Sequence, residues 1–208
     1  MIKVKRAKTT DDLAQALVLL HQYFQPYEIV SSNEFVYYAQ NYSKLYPGEA
    51  YMVFIIKHDN EIAGMMSGVL LKEFVAIDYL IIDKPFRRFT KKIISELTTL
   101  LEKFSRPVLA EAESEALVRF YKILGFKQFS EHYQYHMLNV QLANHTSKVI
   151  THDSHLMYFS NDPLDFIQTR NTLYKKHYLR WNGIYPDDLT EKYKRTFTQY
   201  FKDEKQPD

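Results

Sequence analysis

Three apolar runs, with almost no chain between them, constrain the fold more than any other feature of the sequence. They read YMVFIIK at 51–57, EIAGMMSGVLL at 61–71 and FVAIDYLII at 74–82. The tripeptide HDN at 58–60 supplies turn chemistry, and only two residues separate the second run from the third. Strands joined this tightly pair with their neighbours along the chain, so the segment predicts an antiparallel meander.

Helices are predicted before and after this meander along the chain. Residues 2–6 alternate apolar and basic side chains as a short strand does, and residues 10–24 carry leucines at helical spacing after a Thr-x-x-Asp start. A weaker helical pattern covers 32–45. Pro85 stops the third apolar run, and Thr90 is expected to cap a long helix with a continuous apolar stripe.

The order of elements defines the fold class. Residues 107–110 (PVLA) predict a short strand, and Ser114 can cap a helix that ends at Leu124, with Gly125 at the left-handed position after it. Residues 133–142 predict a final strand. The order β-α-α-β-β-β-α-β-α-β predicts an α/β fold, with an α+β mixed sheet and two helix crossovers late in the chain.

The chain is long enough for one domain and an extension. Of its 208 residues, we assign 1–143 to the domain and 144–208 to a helical C-terminal extension. Two polar-faced helices are predicted in the extension, interrupted around Gly183 and Pro186. The extension is expected to serve as a lid, as a wall of the substrate site or as a dimer contact.

Composition excludes several classes of function. The 27 Lys and Arg residues against 25 Asp and Glu give a net charge of +2, so no long-range field favours nucleic acid or an anionic membrane. The chain has no cysteine, which excludes disulfides, thiolate metal sites and an enzyme-bound thioester. The eight histidines show no metal-ligand spacing, so we predict no metal and interpret them as scattered surface and tail residues.

Neither a leader nor a membrane span is apparent. The N-terminal segment MIKVKRAKTTDDLAQ lacks the apolar region of a signal peptide. No run approaches the ~18 apolar residues that a spanning helix needs. A soluble, cytoplasmic protein without a membrane partner is therefore expected.

One segment resembles a known family. Residues 114–126 read SEALVRFYKILGF and resemble the late helix of the GNAT superfamily, which commonly reads N-x-x-A-x-x-L-Y-x-K-x-G-F. The D-x-P-F-R that follows 74–82 and the order of elements to about residue 140 agree with it, over some two-thirds of the chain. The resemblance implies a GNAT-like fold that holds acyl-coenzyme A. Ser114 stands where the family usually has Asn and is counted among the expected coenzyme contacts.

The resemblance places a pyrophosphate-binding turn where this sequence departs from the family. The family turn usually reads R/Q-x-x-G-x-G/A, whereas no glycine occurs here between Gly68 and Gly125. In one interpretation the cationic side chains and a hydroxyl bind the phosphates; in the other, the side chains of Thr90 and Lys92 crowd the site. A basic cluster at a helix N-terminus opposes the helix dipole unless an anion is bound, which favours the first interpretation. The aligned residues are Arg87, Arg88, Phe89, Thr90, Lys91 and Lys92.

The resemblance also implies catalytic roles. Tyr121 occupies the position of the tyrosine that often protonates the coenzyme A sulfur, although a packing role fits its position too. The backbone N–H groups of Leu80, Ile81 and Ile82 would hold the acyl carbonyl and the pantetheine arm. Asp78 is the only ionisable residue within an apolar run and is the first candidate for general base, although its side chain could equally face solvent; Glu73 is the second.

These features lead to one leading function and two alternatives. The first is an acetyl-CoA-dependent N-acetyltransferase that acts by direct transfer to a small-molecule or peptide amine, either as a monomer or as a homodimer. The glycine-free turn favours the second, a GNAT-like binding or scaffold module that has lost the coenzyme. The third, a less favoured one, is a nucleic-acid-associated protein that uses aromatic and basic residues of the extension, such as Tyr174, Lys175, Lys176, Tyr178, Arg180 and Trp181.

Overall fold

Eight strands and five α-helices make up the part of the fold that the structure describes. The structure, a computed structural model, describes residues 1–25, 28–137 and 150–178. The strands are β1 (Ile2–Arg6), β2 (Ala50–His58), β3 (Glu61–Leu70), β4 (Val75–Ile82), β5 (Val108–Ala112), β6 (Lys127–Gln128), β7 (Tyr133–Met137) and β8 (Ile150–Phe159). The helices are α1 (Thr10–Tyr23), α2 (Ser32–Leu45), α3 (Thr90–Leu101), α4 (Glu115–Ile123) and α5 (Phe166–Leu173), with a 3₁₀ helix at Lys84–Phe89 and a π-helix at Tyr174–Tyr178.

The strands form a mixed sheet in the order β1-β2-β3-β4-β5-β8-β6, and β7 also pairs with β8. The predicted meander of β2, β3 and β4 is confirmed, with Asp59 in the left-handed conformation (φ 55°) at its first turn. Among the strands described here, β4 and β5 are the one pair that runs parallel. The predicted α/β mixed-sheet class is therefore confirmed.

Parallel pairing between β4 and β5 is short. It joins Val75 to Val108 and Ala76 to Leu109, and within these two described strands it goes no further. On its other edge β5 pairs with β8 along all of its residues, from Val108 to Ala112. β4 and β5 therefore part after their first residues, and the sheet opens at this point.

A bulge in β4 lies beside this opening. Ser67 of β3 pairs with Tyr79, but Gly68, its neighbour, pairs with Ile77. Asp78 is consequently the extra residue of the bulge. A bulge re-aims a side chain, and here both Asp78 and Tyr79 lie on the face of the sheet that α1 covers.

Two apolar cores hold the layers together, one on each face of the sheet. Burying each of their large side chains contributes about 1.5–3 kcal/mol. The core under α1, α2 and α5 includes Leu20, Phe35, Ile55, Met65, Phe166 and Leu173. The core under α3 and α4 includes Ile93, Leu97, Val118, Tyr121, Phe126 and Met157.

Local signals located most of the helices. α1 and α2 agree with the predicted 10–24 and 32–45, and Ser114 caps α4 by accepting a hydrogen bond from the N–H of Leu117 at 3.3 Å. Gly125 has a φ of 95°, as expected after a helix end. No helix in the described part of the chain is long and apolar enough to cross a membrane.

Two predictions about elements are wrong. Thr90 does not cap α3: it is the first helical residue, because a 3₁₀ helix runs directly into α3, and Phe89 is the cap. The sheet also continues past residue 144, since β8 is a strand and not part of a helical extension. The polar start of β8, ITHDS, hides its strand character in the sequence.

The remaining predictions for this region have mixed outcomes. β7 confirms the first half of the strand predicted at 133–142, and the rest lies outside the described residues. α5 confirms the first helix of the extension, and the second, after Pro186, lies outside them as well. The division into 1–143 and 144–208 stays a prediction.

Candidate active site

Two carboxylates flank the opening between β4 and β5. Asp78 lies two residues beyond Ala76, and Glu111 lies two residues beyond Leu109, where Ala76 and Leu109 are the last pair that joins the strands. Both carboxylates point to the face covered by α1, α2 and α5, where Asp78 meets His177 and Glu111 meets Tyr133. The sequence predicted Asp78 as a candidate and gave no indication of Glu111.

The π-helix that follows α5 brings a histidine to Asp78. Nε2 of His177 lies 2.8 Å from Oδ1 of Asp78, and the two side chains are only 8% and 9% exposed. Of the two orientations left open for Asp78, the structure therefore shows the buried one. His177 is a residue of the tail, as the histidines were interpreted, but it is buried and is not a surface residue.

Asp78 has polar neighbours, but they do not satisfy both of its carboxyl oxygens. Oδ2 of Asp78 is buried and has no hydrogen-bond partner among the described residues. Below it, the hydroxyl of Tyr51 donates to Ser67 at 3.2 Å. Burial and the nearby charge of Asp78 raise the pKa of Tyr51 well above its usual value, so Tyr51 stays protonated. A buried carboxylate oxygen without a donor marks a place where a ligand group can be accommodated.

Glu111 lies at the centre of a second group of hydrogen bonds. Its two carboxylate oxygens accept hydrogen bonds from the hydroxyls of Tyr133 and Tyr178. Burial raises the pKa of Glu111, although the two tyrosines and the nearby His177 act in the opposite direction. Asp78 is also close enough to raise it, so the two carboxylates and the histidine form one electrostatic unit.

This cluster of Asp78, His177, Glu111, Tyr133 and Tyr178 is costly for the fold. Taking an ionised carboxylate out of water costs several kcal/mol, which pairing recovers only in part. Such groups concentrate at functional sites, where shifted pKa values are used. The cluster is therefore the best candidate for an active site in the described part of the chain.

Local sequence gave no direct signal for His177. It follows two lysines, in a segment that the sequence predicts to form helices with polar faces. In the π-helical turn, Tyr174 and His177 are both buried. The one available hint was a pair of tyrosines on either side of the histidine.

Glu73, the second candidate base, has a different partner. It precedes β4, its side chain is 42% exposed, and it forms an ion pair with Lys176 of the π-helix. Partial burial alone would raise the pKa of Glu73, but the hydrogen bond and charge of Lys176 outweigh it, and the net pKa is lowered. Glu73 is thus a partner of the C-terminal segment.

Tyr121 approaches the opening from the opposite face. It lies on α4, and its ring packs 5.1 Å from that of Phe126, between ring centroids. Burial, with a contribution from Glu111, raises the pKa of Tyr121 above its usual value. Its hydroxyl therefore keeps its proton at neutral pH, as a general acid requires.

Successive residues of β4 direct their backbone N–H and C=O groups to opposite edges of the strand, so every second residue faces the opening. The N–H of Asp83 bonds to the carbonyl of Ala63 at 2.9 Å, so the pair Met65–Ile81, two residues away, is also a hydrogen-bonded pair. The backbone of Ile81 is directed to β3, and that of Leu80 and Ile82 is directed to the β5 side. The predicted role of these three residues in holding an acyl group stays a prediction.

The turn between β4 and α3 is basic and exposed. Arg87, Arg88, Lys91 and Lys92 are all exposed. The hydroxyl of Thr90 donates to the carbonyl of Arg87 at 2.5 Å, so as a donor it is engaged within the turn.

The start of α3 suits an anion. It has no side-chain cap and no acidic residue in its first turn. The ring of Phe89 stacks on that of His58, with centroids 4.2 Å apart, and the guanidinium of Arg88 lies 4.9 Å from the ring centroid of Phe89. These residues fit a phosphate group through charge and helix dipole, without the close backbone approach that glycines permit.

A metal centre is not indicated. Within residues 1–25, 28–137 and 150–178, no three His, Asp or Glu side chains are grouped as metal ligands.

Solved structures share this fold. A protein assigned to the GNAT family from Bacteroides thetaiotaomicron superposes with a TM-score of 0.65 at 18% identity, over 85% of this chain and 98% of that one. The ribosomal-protein-S18-alanine N-acetyltransferase of Escherichia coli gives 0.51 at 16%, over 80% and 100%. Arabidopsis thaliana Naa50, in complex with the bisubstrate analogue CoA-Ac-MVNAL, gives 0.54 at 14%, over 76% and 98%. At these identities the likeness establishes the fold alone.

Family membership is established by the sequence. No curated protein matches the chain. The sequence profile of the acetyltransferase (GNAT) family matches residues 17–126, which is more than half of the 208 residues and runs from the second half of α1 through α4 and the motif at 114–126. The chain belongs to the acetyltransferase (GNAT) family.

Proposed function

We propose that the protein is an N-acetyltransferase that transfers an acetyl group directly from acetyl-CoA to an amine of a small molecule or peptide. The observation that carries the proposal is the opening between β4 and β5, flanked by the buried carboxylates of Asp78 and Glu111. Naa50, which shares the fold, was solved with a coenzyme A bisubstrate analogue, and this supports acetyl-CoA as the donor.

The residues around the opening divide into donor and acceptor sides. The exposed cations at 87, 88, 91 and 92 would hold the coenzyme phosphates, Ser114 would contact the coenzyme, and the backbone of Leu80 and Ile82 would hold the acyl arm. The bound coenzyme supplies an activated acetyl thioester. The amine would approach from the face that carries Asp78. The C-terminal segment contacts Asp78 on that face and would form part of the acceptor site.

Two proton transfers are needed. An amine is protonated at neutral pH, so it must lose a proton before its nitrogen forms the new C–N bond. We assign this deprotonation to the site that contains Asp78. As the C–S bond breaks, the departing thiolate takes a proton from the hydroxyl of Tyr121. The high pKa of Tyr121 keeps that hydroxyl protonated until then.

Binding and transfer are tested separately. Calorimetry with acetyl-CoA, and with desulfo-CoA as a stable substitute, is expected to show binding that weakens with salt. Thiol release from acetyl-CoA is then measured with spermidine, lysine-containing peptides and peptides with free N-termini. The absence of both heat and a thermal shift at millimolar acetyl-CoA would reject catalysis.

A second candidate is a binding module that no longer uses the coenzyme. The turn without glycine favours it, because side chains there prevent close approach of backbone N–H groups, and the Thr90 hydroxyl is already bonded to Arg87. Coenzyme retained through purification would count against this candidate. Nucleic-acid binding by the extension is not favoured, since Tyr174 is buried and Lys176 is paired with Glu73. Homodimerisation and a cytoplasmic location stay predictions of the sequence.

A further inference from the structure

Three consecutive residues of the π-helix each meet a different carboxylate, two in strands of the sheet and one in the connection between β3 and β4. Lys176 pairs with Glu73, His177 with Asp78, and the hydroxyl of Tyr178 with Glu111. The π-helix lies outside the family-matched residues 17–126. This segment, which we name the 176–178 clasp, therefore connects the C-terminal part of the chain to both strands at the opening.

We propose that His177 takes the proton of the acceptor amine, with Asp78 orienting its imidazole, so that the C-terminal segment supplies a catalytic residue to the GNAT site. This inference rests on the proposed acetyl transfer. It assigns the general base to a side chain that comes from outside the family-matched region.

The arrangement of the pair supports an acid–base role. A carboxylate held against one ring nitrogen fixes the tautomer and orientation of an imidazole and stabilises the imidazolium that forms when the ring takes a proton. Nε2 of His177 and Oδ1 of Asp78 are at hydrogen-bond distance, and both side chains are at least nine-tenths buried. The other carboxyl oxygen of Asp78, Oδ2, is also buried and accepts no hydrogen bond from a described residue.

Charge balance favours His177 as the group that accepts the proton. The titratable groups that face it are Asp78 from β4, Glu111 from β5 and Tyr178 from its own turn, with Tyr51 of β2 beyond Asp78. Two carboxylates thus face one imidazole. A proton gained by His177 offsets negative charge that the fold has already buried.

The clasp holds the histidine in place from both sides. The Lys176–Glu73 ion pair lies before it, and the Tyr178–Glu111 hydrogen bond follows it. Tyr174, one turn earlier, is buried against the ring of Tyr178, with centroids 5.4 Å apart. A base needs such fixed geometry, because proton transfer requires hydrogen-bond reach to the amine.

The proton balance of the step is complete. The ammonium gives one proton to the imidazole of His177, and the resulting amine nitrogen forms the C–N bond with the acetyl carbon. The C–S bond breaks, and the thiolate takes the hydroxyl proton of Tyr121. One further proton leaves the new amide nitrogen and restores Tyr121, and His177 returns its own proton to solvent.

The test compares His177→Gln with His132→Gln. His132 is a matched control, because its Nε2 also lies near a carboxylate, 3.6 Å from Oδ1 of Asp153, but the two side chains are 73% and 78% exposed. With an amine that the wild-type protein acetylates, His177→Gln is expected to lower kcat by about 10²–10⁴-fold. The KM for acetyl-CoA should stay within about threefold, because His177 is not placed among the phosphate-binding groups. His132→Gln should leave both constants unchanged.

The pH profile separates a catalytic role from a structural one. In the wild-type protein, kcat/KM should fall at low pH, and this acidic limb should be absent from the residual activity of His177→Gln. An NMR titration of the His177 ring in the wild-type protein should give the same midpoint as the acidic limb. This measurement holds even if the variant fails to fold.

Three outcomes would overturn the assignment. A His177→Gln protein with kcat within twofold of wild type, or an NMR midpoint that differs from the acidic limb by more than one pH unit, rejects His177 alone and leaves acetyl transfer standing. A wild-type protein that binds acetyl-CoA but acetylates no amine of the panel rejects the proposed function itself, and the role of His177 with it.

Discussion

A Cβ atom placed on Gly68 would lie 2.2 Å from the carbonyl oxygen of Ala76, so the bulge beside Asp78 depends on a glycine in the neighbouring strand. The contact involves backbone, which cannot rotate away. Gly68→Ala is therefore expected to push β3 and β4 apart and to destabilise the protein by about 1–3 kcal/mol.

Chemical denaturation of Gly68→Ala measures this cost. Gly48→Ala is the control, because Gly48 has a φ of 84° but its added Cβ would meet only the end of the Lys72 side chain at 3.9 Å. Gly48→Ala strains the backbone without a close contact, whereas Gly68→Ala creates a close contact with backbone, and only Gly68→Ala should abolish acetyl transfer. Full activity in a folded Gly68→Ala protein would show that the position of Asp78 does not depend on the bulge.

Local sequence signals predicted the scaffold of this site but not its centre. The strands at 51–57 and 61–71, the cap at Ser114 and the left-handed Gly125 follow from residues a few positions apart, and the structure confirms them. Glu111 and His177 could not be found this way. Their proximity depends on the separation of two strands and on a π-helical turn, which are set by packing between distant segments.

Glu111 should make stability depend on pH. Its folded-state pKa is raised above its ordinary value of 4.5, chiefly by burial. Such a group stabilises the fold most below its unfolded pKa, and that contribution is lost as the pH rises through the folded pKa. Wild type should therefore lose stability relative to Glu111→Gln as the pH increases from about 4.5, by at most about 1.4 kcal/mol per pH unit.

Urea denaturation of both proteins between pH 4 and 8 tests this, because the difference cancels the titrating groups that do not interact with Glu111. Glu131→Gln, at an exposed position, is the control and should show no such trend. A constant difference between wild type and Glu111→Gln across this range would show that the folded-state pKa of Glu111 is not raised.

Tyr121→Phe distinguishes the two roles that Tyr121 can have. Phenylalanine keeps the ring that packs on Phe126 and removes only the hydroxyl. If the hydroxyl protonates the thiolate, kcat should fall by about 10²–10⁴-fold while acetyl-CoA binding is preserved. Tyr37→Phe, on the exposed face of α2, should have no effect. Unchanged kcat in Tyr121→Phe would leave Tyr121 with packing alone.

The Lys176–Glu73 ion pair should hold the 176–178 clasp against the sheet. Because both side chains are about a third or more exposed, Glu73→Gln should lower global stability by no more than about 1 kcal/mol. Locally, the amides of 174–178 should exchange hydrogen faster, and salt should have the same effect on wild type. Glu61→Gln, at the exposed start of β3, is the control. Equal exchange rates in wild type and Glu73→Gln would show that the other two contacts of the clasp suffice.

The turn without glycine permits a test in which the two interpretations predict opposite signs. If cations bind the coenzyme phosphates, Lys92→Ala removes a charge-assisted hydrogen bond worth about 1.5–3 kcal/mol, and acetyl-CoA should bind at least about tenfold more weakly. If the side chain crowds the site, the same change should tighten binding. Alanine is a good helix former, so α3 itself should not be weakened. Lys103→Ala, beyond the far end of α3, is the control for net charge. We expect weaker binding, since Lys92 is exposed beside a helix start that lacks any acidic partner.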